Sequence, residues 1–284
     1  MTEKLIALID GSIYSKSVCE NAAWIANRTG APVELLHVLG RRETSSSDLS
    51  GSIALGARTA LLEELSSLDE QRSKLAQKRG RAILEDAEAT LRAAGVAHVT
   101  SRLRHGDLSE AVAEAEPGSR GSVIGKRGEA ADFAKLHLGS NLERIARSAT
   151  KPVYVAARAF RPIEKVLIAY DGGPSAVKAV DHIARAPLFA GLDIRLLTVG
   201  SENADLRRGL ESAKATLAAG GHRASIEIVS GEPEKAIISG IVERDGIDLL
   251  VMGAYGHSRI RSMIIGSTTT EMIRSCKIPV VLIR

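Results

Sequence analysis

Short apolar runs alternate with longer amphipathic stretches along the whole chain. In the second half, Lys165–Tyr170, Asp193–Val199, Ser225–Val229, Asp248–Met252 and Pro279–Arg284 read as strands. Ser175–Leu188, Ala204–Ala219, Pro233–Arg244 and Ser267–Ser275 carry helical spacing between them. Near-continuous aliphatic runs are those of strands covered on both faces. Strands alternating with helices predict an α/β fold built on an open, mostly parallel, doubly wound sheet.

The pattern repeats. EKLIALIDGS, from Glu3 to Ser12, matches EKVLIAYDGG, from Glu164 to Gly173. VIGKRG, from Val123 to Gly128, matches VMGAYG, from Val251 to Gly256. LGSNLERIARSATKPVYV, starting at Leu138, matches IGSTTTEMIRSCKIPVVL, starting at Ile265. Three matches in the same order point to a duplication. The sequence predicts two tandem five-stranded sheets flanked by helices, over 1–157 and 163–284, joined by the short linker Arg158–Pro162. The first copy is longer between its first two blocks, and the surplus falls within 41–80. That insert opens on the polar stretch RRETSSSDLSGS. It continues with Leu61, Leu62, Leu65, Leu68 and Leu75 at roughly helical spacing, which predicts a loop and then a helix. A loop of that length is flexible or functional, and a lid is one reading.

The 284 residues are enough for two domains of ordinary size. Aromatics make up 3% against 44% hydrophobic, so the cores must be aliphatic. A net charge of +4 is too mild for a nucleic-acid face, and scarce aromatics leave no stacking platform. Cys19 and Cys276 form no CxxC pair and read as packed, reduced thiols, the usage of a cytoplasmic protein. No stretch of 18 uninterrupted apolar residues exists, and the N-terminal run is too short for a secretory signal, so no membrane insertion is expected. The seven histidines form no HxH or HExxH, which gives no protein-held metal site. No G-x-S-x-G elbow is present, and no catalytic residue stands out.

One constellation carries chemistry. After the fourth strand of the second copy come Gly253, Gly256 and, past nine residues, Gly266-Ser267 opening a helix. Glycines let backbone approach phosphate, and a helix N-terminus offers unpaired N–H groups and a positive dipole end. Ser267 and Thr268 supply hydroxyls, and His257, Arg259 and Arg261 add polar or positive groups. The same residues also fit a glycine-rich turn with Ser267 as an ordinary N-cap. Asp171, after strand one, is placed to accept hydrogen bonds from a ribose or an adenine edge, and also fits a turn-forming Asp. Open α/β sheets bind ligands at such strand ends.

The run from Asp248 to Arg284 resembles the C-terminal half of a universal stress protein domain, and the resemblance extends over both copies. It implies strand order 3-2-1-4-5 and ATP, or a related adenine nucleotide, as ligand. It carries the family's binding positions onto Ala169, Asp171, Val199, Met252, Gly253, Gly256, Gly266, Ser267 and Thr268, with Val199 against the adenine. In the first copy Asp10, Val38, Gly125, Gly128, Gly139 and Ser140 correspond. There ten residues, not nine, separate Gly128 from Gly139, and Asn141 stands at the position of Thr268. Lys126 and Arg127 sit between the first two glycines and would favour phosphate. The first copy is expected to be the weaker site.

Three functions follow as expectations. The first is a nucleotide-binding stress-response or signalling module with little or no turnover. The second is a slow ATP hydrolase of the adenine nucleotide α-hydrolase type, using Mg²⁺ carried by the nucleotide. The third is a scaffold for an unidentified protein partner, with vestigial sites. The terminal strands, Pro152–Ala156 and Pro279–Ile283, are apolar edges in a 3-2-1-4-5 order. Antiparallel pairing of the two would make an intramolecular pseudo-dimer. Homodimerisation through other surfaces stays open.

Overall fold

The computed structural model describes residues 3–40, 57–128, 140–232, 235–254 and 267–284. The first copy runs β1 (Lys4–Leu8), α1 (Ser15–Thr29), β2 (Val33–Leu39), α2 (Ala57–Ala93), β3 (Val99–His105), α3 (Leu108–Ala115), β4 (Ser119–Gly125), α4 (Ser140–Ser148) and β5 (Val153–Ala156). The second begins with β6 (Lys165–Ala169), α5 (Pro174–Arg185), a 3-10 turn at Pro187–Phe189 and β7 (Asp193–Val199). It continues with α6 (Ala204–Ala219), β8 (Ala224–Val229), α7 (Ala236–Val242), β9 (Leu249–Gly253), α8 (Ser267–Ser275) and β10 (Val280–Ile283).

Local chemistry sets several of these ends. Gly30 closes α1 in the left-handed conformation, its N–H bonding the carbonyl of Ala26 at 2.7 Å. Asp107 caps α3 by accepting from the N–H groups of Ser109 and Glu110. Asn203 caps α6 through the N–H of Leu206. Pro174 opens α5, where its missing N–H costs nothing. α7 departs from the expected winding: it is a π-helix that finishes in an α-helical turn at Glu243–Asp245. Ile237, Ile238, Gly240, Ile241 and Val242 are weak α-helix formers, which lowers the cost of that departure.

Within each copy neighbouring strands are parallel, and the ten strands lie in the order β3-β2-β1-β4-β5-β10-β9-β6-β7-β8. Each copy therefore has the 3-2-1-4-5 order. The two five-stranded sheets run on as one ten-stranded sheet, because β5 and β10 pair antiparallel. Both carry buried aliphatic residues, and a bare edge of that kind would leave backbone groups unpaired beside an apolar strip. The outer edges, β3 and β8, are more exposed and more polar, with Arg102, Arg104 and Glu227 among their residues.

Side chains alternate between the faces of this sheet. One apolar layer includes Leu5, Tyr154, Ile168, Phe189 and Val281, and the other includes Ile6, Val153, Val155, Val280 and Leu282. Each layer passes through the β5–β10 seam without a break. In the long α2, Leu84, Ala87 and Leu91 are buried in the first layer, whereas Leu68 and Leu75 are exposed. The helical part of the insert and the helix that follows it are thus one element. The insert's polar stretch lies outside the described residues.

Candidate functional site

The chain order switches between β6 and β9: β7 lies on one side of β6 and β9 on the other. A crevice opens beyond the carboxyl ends of strands at such a point. Ala169, the last residue of β6, is in register with Met252 of β9 and with Leu197 of β7. This brings Ala169, Val199, Met252 and Gly253 to one rim. Met252 is buried, and the other three are half-buried. Ala169 and Val199 rest on the apolar layer that contains Met252, so this flank is apolar. Asp171 is exposed just past β6, and Ser267 and Thr268 open α8. Gly256, His257 and Gly266 lie outside the described residues.

The Asp-Gly turns are alike in the two copies. Asp171 Oδ1 accepts the N–H of Gly173 at 2.8 Å, and Asp10 Oδ1 accepts that of Ser12 at 2.9 Å. Gly172 and Gly11 take φ of 76° and 77°, a left-handed conformation that favours glycine. Among the described residues, nothing bonds Asp171 Oδ2. Asp10 is more engaged: the Ser15 hydroxyl also donates to its Oδ1 at 3.3 Å. A Cβ built on Gly128 would lie 3.0 Å from Asp10 Oδ2, so the ends of strands one and four meet in the first copy. Val38 is half-buried in β2, Gly125 ends β4 and Ser140 opens α4. Gly139 lies outside the described residues.

Gly253 has a packing role that the sequence did not reveal. A Cβ there would stand 2.8 Å from Ser175 Cβ and 2.9 Å from the Ala176 nitrogen. The bare backbone lets β9 end against the first turn of α5, where the Ser175 hydroxyl donates to the Ala254 carbonyl at 3.2 Å. Gly125 does the same in the first copy, with Tyr14 Cβ at 2.7 Å from such a position.

Lys126 corrects an expectation. It does not face a phosphate: it is buried, and its Nζ donates to the carbonyl of Cys276 in the second copy. Burial, opposed by Cys276 and helped by Arg127, brings its ammonium down to about 8. No pattern within one copy signals this bond, because the acceptor belongs to the other. Both cysteines are buried, and desolvation raises the Cys19 thiol to about 12. Among the described residues no group of three His, Cys, Asp or Glu could hold a metal, and no helix is long and apolar enough to cross a membrane.

A doubly wound sheet of this order, with an Asp-Gly turn and a helix start at its switch point, defines a Rossmann-like class of α/β architecture. The sequence profile of the Universal stress protein family matches residues 1–157 and 201–284. The chain belongs to that family. It is 37% identical over 287 residues to a universal stress protein of Synechocystis sp. (Slr1230), covering 99% of this chain and 100% of that one. A universal stress protein structure from Archaeoglobus fulgidus superposes with a TM-score of 0.75 at 22% identity, over 100% of this chain and 99% of its own. A Pseudomonas aeruginosa protein of unknown function follows at a TM-score of 0.63 and 16% identity, over 99% and 92%. The last two are likenesses of fold.

Proposed function

We propose that this universal stress protein binds an adenine nucleotide, ATP first, in its second copy, and acts as a stress-response or signalling module with little or no turnover. The observation that carries the reading is the register of Ala169 with Met252, which gathers the ends of β6, β7 and β9 beside Asp171. Ala169 and Val199 would flank the adenine, and Met252 would back them. Asp171 would accept from the ribose through the oxygen its turn leaves over. Gly253, Gly256, Gly266, Ser267 and Thr268 would take the phosphates, the helix start contributing N–H groups and dipole, with His257 beside them. Mg²⁺ would come with the nucleotide.

The first copy is the weaker site on this reading. Asp10, Val38, Gly125, Gly128, Gly139 and Ser140 stand at the matching positions. Its loop is one residue longer, its Asp10 is held by two hydroxyl-bearing residues, and its Lys126 is committed elsewhere.

Mass spectrometry of small molecules released from purified, denatured protein tests the proposal. ATP or ADP in near-stoichiometric amount is expected. Protein that releases no adenine nucleotide, and takes up none when ATP is supplied, would contradict it.

A further inference from the structure

We propose that a second binding site, for a small multiply charged anion of the phosphate class, lies at the seam between the two copies. A cavity of ≈ 420 Å³ is lined there by Arg120 and Lys151 of the first copy and by Lys178, His182 and Arg185 of the second. Its carboxylates are Glu3 and Asp181. Both are already engaged: Glu3 pairs with Lys151 at 3.4 Å and Asp181 with Arg185 at 3.9 Å. Arg120 and Lys178 have no carboxylate partner among the described residues. Arg120 Nε and His182 Nε2 are buried without any hydrogen-bond partner. Buried polar atoms are rarely left so, and two cations without a carboxylate partner, beside two more that are only loosely paired, favour an anion.

The charge is not a by-product of the duplicated fold. Aligning the repeats places Asp248 at the position of Arg120 and Ile278 at that of Lys151. Ser17, Asn21 and Trp24 stand at the positions of Lys178, His182 and Arg185. All five matching positions therefore lack a cation. Two of these residues are satisfied locally: Asp248 accepts from the N–H groups of Glu164 and Lys165 at 3.0 Å, and Asn21 donates to the Ser17 carbonyl at 2.8 Å. The cations gather on one side of the pseudo-twofold only.

The cavity is distinct from the nucleotide crevices. In the first copy it uses the amino ends of β4 and β5, whereas the crevice is at carboxyl ends. In the second it uses the later turns of α5, whereas the crevice meets the first. Guanidinium, ammonium and imidazole donors around one cavity suit tetrahedral oxyanions, and several cations favour more than one negative charge. The volume leaves room for a diphosphate and its water. His182 supplies a reporter. Burial, then Arg120 and Lys151, hold its pKa below the ordinary value. Lys178, Arg185, Asp181 and Glu3 complete the charged lining. A bound anion reverses the sign of the local field, so the imidazole should protonate at higher pH.

The probe is inorganic pyrophosphate, titrated into the full chain by calorimetry while the His182 ring is followed by NMR, with His182→Asn fixing the assignment. Binding with an upward move of the His182 midpoint is expected. Reversing the exposed pair, Lys178→Glu with Arg185→Glu, should weaken binding by about tenfold or more. No binding heat, an unmoved His182 midpoint, or a double variant that binds as tightly as the parent would each overturn the proposal.

Discussion

The ammonium of Lys126 donates to the carbonyl of Cys276, joining the end of β4 in the first copy to the end of α8 in the second. A cation at a helix C-terminus is favourable, but taking it out of water is not. The folded pKa of about 8 lies below the ordinary 10.5, so between them the unfolded chain binds more protons than the folded one. Lys126 therefore makes the fold gain stability as pH rises through that window. Burial raises both thiols and works the other way above their ordinary range; Cys19 is common to parent and variant, and the Cys276 thiol, which Lys126 draws down, shifts the difference in the same direction as the lysine. The stability of the parent relative to Lys126→Met, from urea unfolding, should rise between pH 8 and 10.5. A flat or falling difference would show that the lysine is not buried in this way.

The seam itself has a polarity that decides which proline breaks it. The carbonyls of Pro279 and Ile283 accept from Leu250 and Ala254, so odd-numbered positions of β10 face β9. Val280 and Leu282 then face β5, opposite Val155 and Val153. Val280→Pro should separate the copies, seen as a larger radius in small-angle scattering and faster proteolysis within Arg158–Pro162. Val281→Pro removes a bond to β9 and should instead loosen the second copy internally. Unchanged scattering and proteolysis for Val280→Pro would reject the seam.

Much of this fold was legible in the sequence because it rests on local periodicity and on repetition. Asp193–Val199, Ala204–Ala219 and Ser267–Ser275 have the expected bounds. The apolar runs before Asp10 and Asp171 were enough to name them as strands, and the Asp-Gly pairs gave the turns. What the sequence could not give depends on contacts between copies. The antiparallel pairing of β5 with β10 is legible as two apolar edges that can cover each other, but the Lys126–Cys276 bond and the Arg120–His182 cavity need particular partners from both halves. The close approach of Gly253 to Ser175 was hidden for a related reason: a glycine beside a phosphate and a glycine beside a helix look alike in one dimension.

That approach can be tested on its own. Gly253→Ala places a methyl group 2.8 Å from Ser175 Cβ and 2.9 Å from backbone nitrogen, which cannot yield as a flexible side chain would. A loss of about 1–3 kcal/mol in thermal or denaturant unfolding is expected, as for overpacking in a tight core. A variant as stable as the parent would show that β9 and α5 are not so closely packed.

Turnover should be slow or absent. One oxygen of the Asp171 carboxylate is engaged in its own turn, and no nucleophile or general-base pattern stands out in the sequence. With ATP and Mg²⁺, phosphate release should stay below about one per second, under the ordinary range of enzymes. Faster release that survives further purification would move the protein to the hydrolase class.

The most direct measurement is calorimetric titration of ATP into the parent and into Gly266→Val, Asp171→Ala and Asp10→Ala. Gly266→Val puts a branched side chain where the proposal lays phosphate, and Asp171→Ala removes the ribose acceptor. Both should weaken ATP binding strongly, and Asp10→Ala should do so less, because the second copy is the better site. Binding by Gly266→Val as tight as the parent's, or a greater loss from Asp10→Ala than from Asp171→Ala, would contradict the account.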